Sequence, residues 1–146
     1  DEFFMRLAAE YGVSLEQQRG HDLGARMWHA ASEQLDAAEL VLLTGTDAPA
    51  LENADLEQAL RYLHQGADVV MQPAEDGGYV LLGLREAHSG LFENMPWGSD
   101  QVAAQTRMRC AEQGLKLLEL PISWDVDRPQ DLSRLVELDE FNIFPD

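Results

Sequence analysis

Four aspartates sit where a carboxylate can do more than solvate a surface. Asp125 and Asp127 are separated by one residue in a segment that reads as extended ahead of a helix, so the pair could close on a cation from one side. Asp127 also has a structural use: Gln130 lies three positions on at capping-box spacing, and Pro129 suits a first helical turn. Asp125 has no such capping role. Asp47 is the first charge after an apolar run and stands between Gly45 and Pro49, where its side chain could equally bond its own backbone as a turn aspartate. Asp76 precedes Gly77 and Gly78. Asp-Gly is a hairpin pair because the primed turns need positive φ, which accounts for Asp76 and Gly77. The second glycine is left over by the turn, and a Gly-Gly pair also lets a ligand approach the backbone closely.

The elements that must position these residues follow from periodicity. Within residues 39–51, Leu40-Val41-Leu42-Leu43 is an unbroken apolar run bounded by turn residues, which predicts a strand buried on both faces of a parallel sheet. Ligands collect at the carboxyl ends of such strands, and this makes Asp47 the leading candidate. Leu56, Ala59, Leu60 and Leu63 then share one face of a helix over 54–65, and a strand follows at 68–72. Strand, helix and strand predict a right-handed βαβ unit. A further strand is expected at 80–84, beyond the Asp76 turn. Ser99 reads as the N-cap of a helix over 100–113, and Leu115 opens the last strand, closed by Pro121.

Upstream, Phe3, Phe4, Leu7, Ala8 and Tyr11 take the spacing of a helix face, 13–15 is a short strand candidate, and a glycine-containing loop leads from Gln18 into a helix reaching about Ala38. Arg19 and Arg26 offer local positive charge that an anionic substrate would need, or pair with nearby acids. Trp97, between Pro96 and Gly98, reads either as a pocket wall or as a buried core residue. The tail at 141–145 is apolar enough to dock on the body or on a partner chain.

Composition sets the outer bounds. A chain of 146 residues is one domain long, its 45% hydrophobic content is ordinary, and no apolar run approaches the ~20 residues that cross a bilayer. The formal net charge of -17 repels nucleic-acid phosphates and favours cations, so a nucleic-acid partner is not expected. A single cysteine, Cys110, with neither signal peptide nor paired-cysteine motif, points to a reducing cytoplasm. His21, His29, His64 and His88 lack the spacing of zinc ligands. No Walker loop, G-x-S-x-G elbow or G-x-G-x-x-G fingerprint is found, which removes the main supports for hydrolase and dehydrogenase chemistry. The chain opens at Asp1, without methionine and directly in a helical pattern, so residues 1–146 are expected to be a single domain truncated at its amino end.

In order, the motifs are more telling than any one of them. Gly20-His21-Asp22-Leu23-Gly24-Ala25-Arg26-Met27, Gly45-Thr46-Asp47-Ala48-Pro49-Ala50-Leu51, Pro73-Ala74-Glu75-Asp76-Gly77-Gly78-Tyr79, Pro96-Trp97-Gly98-Ser99 and Asp125-Val126-Asp127-Arg128-Pro129-Gln130-Asp131-Leu132 span nearly the whole chain. Together they resemble a GT-A-type glycosyltransferase-like domain-of-unknown-function family. It belongs to the nucleotide-diphospho-sugar transferase superfamily and is related to the nucleotidyltransferases of molybdenum cofactor and phospholactate chemistry.

The resemblance implies an α/β, three-layer, Rossmann-like GT-A fold with a mainly parallel sheet. Family members usually begin with a strand and a basic, glycine-containing nucleotide loop, which residues 1–146 are expected to lack. The edge so exposed could be covered by homodimerisation. The implied function is a divalent-metal-dependent transferase using an activated nucleotide, foremost a glycosyltransferase with a nucleotide-sugar donor and Mg²⁺ or Mn²⁺ as cofactor. Two alternatives stand beside it: a nucleotidyltransferase releasing pyrophosphate, and a non-catalytic binding module that lacks the nucleotide loop. In this scheme Asp47 is the principal metal ligand, completed by Asp125 or Asp127, and Asp47 and Asp76 are catalytic. Thr46, Gly77, Gly78, Tyr79 and Trp97 bind substrate, and Arg26 meets phosphate. Arg128 stands where threonine is frequent in the family, a change expected to be neutral.

Overall fold

The computed structural model describes residues 2–135 and Leu138; the apolar tail at 141–145 and its expected docking lie outside the described residues. In chain order the main elements are α1 (Glu2–Tyr11), α2 (Leu23–Leu35), β1 (Val41–Thr44), α3 (Asn53–His64), β2 (Val69–Pro73), β3 (Tyr79–Leu84), α4 (Val102–Glu112), β4 (Leu117–Glu119) and α5 (Leu132–Leu135).

Alternation along the central strands decides the layering, because successive side chains leave a strand on opposite faces. Val69 and Met71 of β2 and Leu82 and Leu84 of β3 pack with Ala31 of α2 and Ala103 and Cys110 of α4. Val70 and Leu81 pack instead with Ala59 and Leu63 of α3. Helices thus cover both faces of the sheet, giving the three layers expected of this α/β chain. Every residue of β2 is buried, as its position inside the sheet requires.

The strand order is β1-β3-β2-β4. β3 is antiparallel to both β1 and β2, whereas β4 is parallel to β2. β1, β2 and β4 therefore point the same way and β3 opposes them. The expected mainly parallel sheet holds for strand direction but not for pairing, because β3 returns from the Asp76 turn directly beside β2 and enters between β2 and β1. The two strands of the predicted βαβ unit are accordingly not neighbours. β1 was expected to be buried on both faces, yet Val41, Leu42 and Leu43 are only partly buried, since among the described residues β1 pairs with β3 alone.

Two amino-terminal expectations also change. α1 forms, but none of its residues is buried, and Phe3, Phe4 and Tyr11 face solvent. Residues 13–15 form no strand, and Val13 and Leu15 are exposed. Among the described residues no helix is long and apolar enough to cross a membrane.

Candidate functional site

The carboxyl end of β2 carries a tight turn. Within it Gly77 N–H donates to the Ala74 carbonyl (3.1 Å), Ala74 N–H to the Gly78 carbonyl (3.0 Å), and Gly78 N–H to the Asp76 Oδ1 (2.8 Å). The Asp-Gly turn anticipated at Asp76 is therefore present, and the Asp76 side chain bonds the backbone two residues on. Beyond β4 the chain continues alongside β2, with Leu120 N–H on the Met71 carbonyl (2.9 Å), Ser123 N–H on the Pro73 carbonyl (2.8 Å) and Glu75 N–H on the Ser123 carbonyl (3.0 Å). Val126 N–H then reaches the Asp47 carbonyl (2.9 Å), so the loop after β1 joins the same strand ends.

This stitching brings Asp76, Asp125 and Asp127 together, each offering a carboxylate oxygen within 4.8 Å of the others. The capping role available to Asp127 falls to Asp131, whose Oδ2 accepts the N–H groups of Asp127 (3.1 Å) and Arg128 (2.8 Å). Asp127 is left to face the other two acids. Asp47 lies outside the trio, exposed at the same strand ends, but near enough for its charge to act on Asp125 and Asp127.

Partial burial lifts the Asp125 carboxyl to about 6, and the negative charges of Asp76, Asp127 and Asp47 add to the lift against one favourable backbone hydrogen bond. Asp127 is raised too, by desolvation first and then by Asp76 and Asp47. Crowded acids of this kind favour a proton or a cation in their midst. The donors are all carboxylate oxygens, the chemistry that hard cations such as Mg²⁺ and Mn²⁺ take, and no histidine or cysteine belongs to the cluster.

The trio forms one wall of a cleft of about 520 Å³. Thr46 and Asp47 enter from the loop after β1, Gly78 and Tyr79 from the hairpin, and Arg26 and Met27 from α2. Among the described residues Arg26 is the only lysine or arginine on the cleft wall, and its Nε donates to the Gly20 carbonyl (3.3 Å). Arg19, by contrast, takes the structural option and pairs with Glu33 at 3.0 Å. Trp97 lines the cleft while partly buried, with Tyr79 edge-on to its ring at 6.4 Å. Burial raises the Tyr79 phenol pKa, so the side chain is neutral.

α2 owes its position here to the segment around Gly24. Asp22 caps the helix, its Oδ1 accepting the Ala25 N–H at 2.7 Å. A Cβ on Gly24 would crowd the Phe92 carbonyl and lie 2.8 Å from the Trp97 Nε1, so only glycine lets the helix rest on that indole. The Gly-Gly pair divides its work: Gly78 lines the cleft, whereas Gly77, at φ 92°, backs onto the Asp100 main chain and accepts the Ala103 N–H at 2.8 Å.

The sequence offers Asp76 as a catalytic residue and gives no sign that it is the third carboxylate of the cluster. An Asp-Gly turn is complete in itself, and only the parallel run of residues 120–127 beside β2 reveals its companions. Asp131 was missed as well, although its place three residues after Arg128, with Pro129 between, carries the signal of a helix-start acid.

No curated protein sequence matches the chain. Among solved structures, a crystal structure from Desulfovibrio desulfuricans G20, named a "putative nucleotide-diphospho-sugar transferase", superposes with a TM-score of 0.75 at 34% sequence identity. The match takes in 85% of this chain and 56% of that one, so this chain spans little more than half the length of the relative. Its α/β architecture is thus that of a nucleotide-diphospho-sugar transferase fold. Residues 1–99 match the model of a family described as uncharacterized proteins conserved in bacteria, DUF2064. On the family match and the 34% identity together, the chain belongs to the DUF2064 family, as the ordered motifs led us to expect.

Proposed function

We propose that this chain carries the divalent-cation site of a transferase that acts on an activated nucleotide, with a nucleotide sugar as donor. The observation that carries the reading is the convergence of Asp76, Asp125 and Asp127 at the strand ends, in a cleft that Arg26 also lines. Mg²⁺ or Mn²⁺ held there would supply Lewis-acid neutralisation of a diphosphate leaving group. In this reading Asp125 and Asp127 are ligands, and Asp76 joins them. Asp47, first expected to be the principal ligand, holds the Val126 N–H through its carbonyl and adds its charge to the field around the cation.

The remaining residues divide the substrate. Arg26 meets phosphate oxygens, because in so acidic a chain an anion needs local positive charge, and a guanidinium fork matches phosphate geometry. Tyr79 and Trp97 present aromatic surface to a ring, Thr46 offers a hydroxyl, and the backbone at Gly78 admits close approach. The name of the Desulfovibrio relative supports the nucleotide sugar as donor.

Calorimetric titration of the chain with a nucleoside diphosphate tests the reading. Binding is expected in Mn²⁺, with loss of at least tenfold in affinity on chelation or in Arg26→Gln. Binding that ignores both the metal and Arg26 would refute the assignment. With substrates supplied, release of nucleoside diphosphate supports glycosyl transfer, whereas pyrophosphate released from a nucleoside triphosphate would move the assignment to nucleotidyl transfer.

A further inference from the structure

Three carboxylates drawn together repel one another, so something must hold the two chain segments that carry them. Backbone hydrogen bonds account for only part of this. Among the described residues, the last one between the hairpin and the segment leading to Asp125 is Glu75 N–H to the Ser123 carbonyl, one residue short of Asp76 and two short of Asp125. Beyond it the connection passes to side chains. Arg134 of α5 grips Glu75 with both arms of its guanidinium, Nη1 to Oε2 at 2.8 Å and Nη2 to Oε1 at 3.1 Å. The same guanidinium lies 4.2 Å above the centre of the Trp124 ring. Glu75 immediately precedes Asp76, and Trp124 immediately precedes Asp125. One cation therefore holds the neighbours of two of the three acids.

We propose that Arg134 is a positioning residue for the cation site, clasping Glu75 and Trp124 so that Asp76 and Asp125 stay at coordinating separation. The inference rests on reading the three aspartates as that site. The clasp has a firm base: Asp131 accepts the N–H groups of Asp127 and Arg128, and the Ser133 Oγ donates to the Gln130 carbonyl at 2.7 Å. The strap from Asp127 to Arg134 is thus fastened at both ends. Exposed ion pairs contribute little as a rule, and the bidentate, ring-stacked form is the exception that fixes geometry. Lysine keeps the charge of arginine but has neither the fork nor the flat stacking face.

Those differences give a test in which charge and geometry predict opposite results. Mn²⁺ affinity is measured by the paramagnetic signal of the free ion for the wild-type chain and for Arg134→Gln, Arg134→Lys and Glu75→Gln, with metal-free melting curves confirming that each is folded. The clasp predicts weakening of about tenfold in all three. Through-space charge alone predicts that Arg134→Gln binds more tightly, Arg134→Lys is unchanged and only Glu75→Gln weakens; that pattern, or no change at all, overturns the proposal. A wild-type chain that fails to bind Mn²⁺ removes the cation site itself and the clasp with it. Wild-type binding with unaltered Arg134 variants removes the clasp alone.

Discussion

Asp125 is the residue on which the electrostatics of the site turn. Its carboxyl is raised to about 6 by burial and by Asp76, Asp127 and Asp47, against an ordinary value of 3.8. A group that holds its proton more tightly in the folded chain than in the unfolded one gives stability below the unfolded pKa, and that stability is lost as pH rises through the folded value. Metal-free protein should therefore lose stability between pH 4 and pH 7, by on the order of 1 kcal/mol from this group once solvent screening is allowed for. Urea denaturation of wild type and Asp125→Asn at the two pH values checks it. The variant is expected to lose less, whereas parallel losses would mean that the other acids of the chain account for the whole effect.

At the level of elements, the β2–β3 hairpin does most to build the site, and its fit depends on Gly77. A methyl group there would press on the Asp100 backbone, with its C and Cα only 2.6 Å away, at a φ of 92° that disfavours any side chain. Gly77→Ala should cost about 2–4 kcal/mol by adding left-handed strain to overpacking. Thermal denaturation measures it, and a loss below the error of the method would show that the turn and the start of α4 yield easily. The hairpin also shows what the sequence could reveal. Asp76-Gly77 specified the turn, because that demand is local, and the apolar spacing of Leu56, Ala59 and Leu63 specified α3. That β3 inserts between β1 and β2 was not legible, since apolar runs of similar length do not state their neighbours. The same blindness hid Asp76 as a member of the carboxylate cluster, although the motifs set Asp47, Asp125 and Asp127 at one place. Trp97 and Arg26 were legible only as pairs of alternatives, pocket wall or core and phosphate contact or ion pair. The position of α2, which Gly24 permits, sets both on the lining of the cleft.

Over the whole molecule, a net charge of -17 draws any divalent cation to the surface, so a specific site has to be distinguished from a diffuse field. Sheet topology gathers acids from the hairpin and from the segment beyond β4 at one edge of the cleft, and these are the residues proposed to make such a site. The relative from Desulfovibrio shares this architecture over most of the present chain. The most direct test compares melting with and without Mn²⁺ at matched ionic strength for wild type, Asp125→Asn and Glu57→Gln, the last an exposed acid on α3 that removes the same charge elsewhere. At an excess of ~100 times the dissociation constant, a ligand bound only by the folded state stabilises it by about 2.7 kcal/mol. The account predicts that gain, seen as a clear rise in Tm, for wild type and Glu57→Gln, with most of it absent in Asp125→Asn. Equal rises in all three proteins would contradict the account and leave the cation with nothing more than a diffuse negative surface.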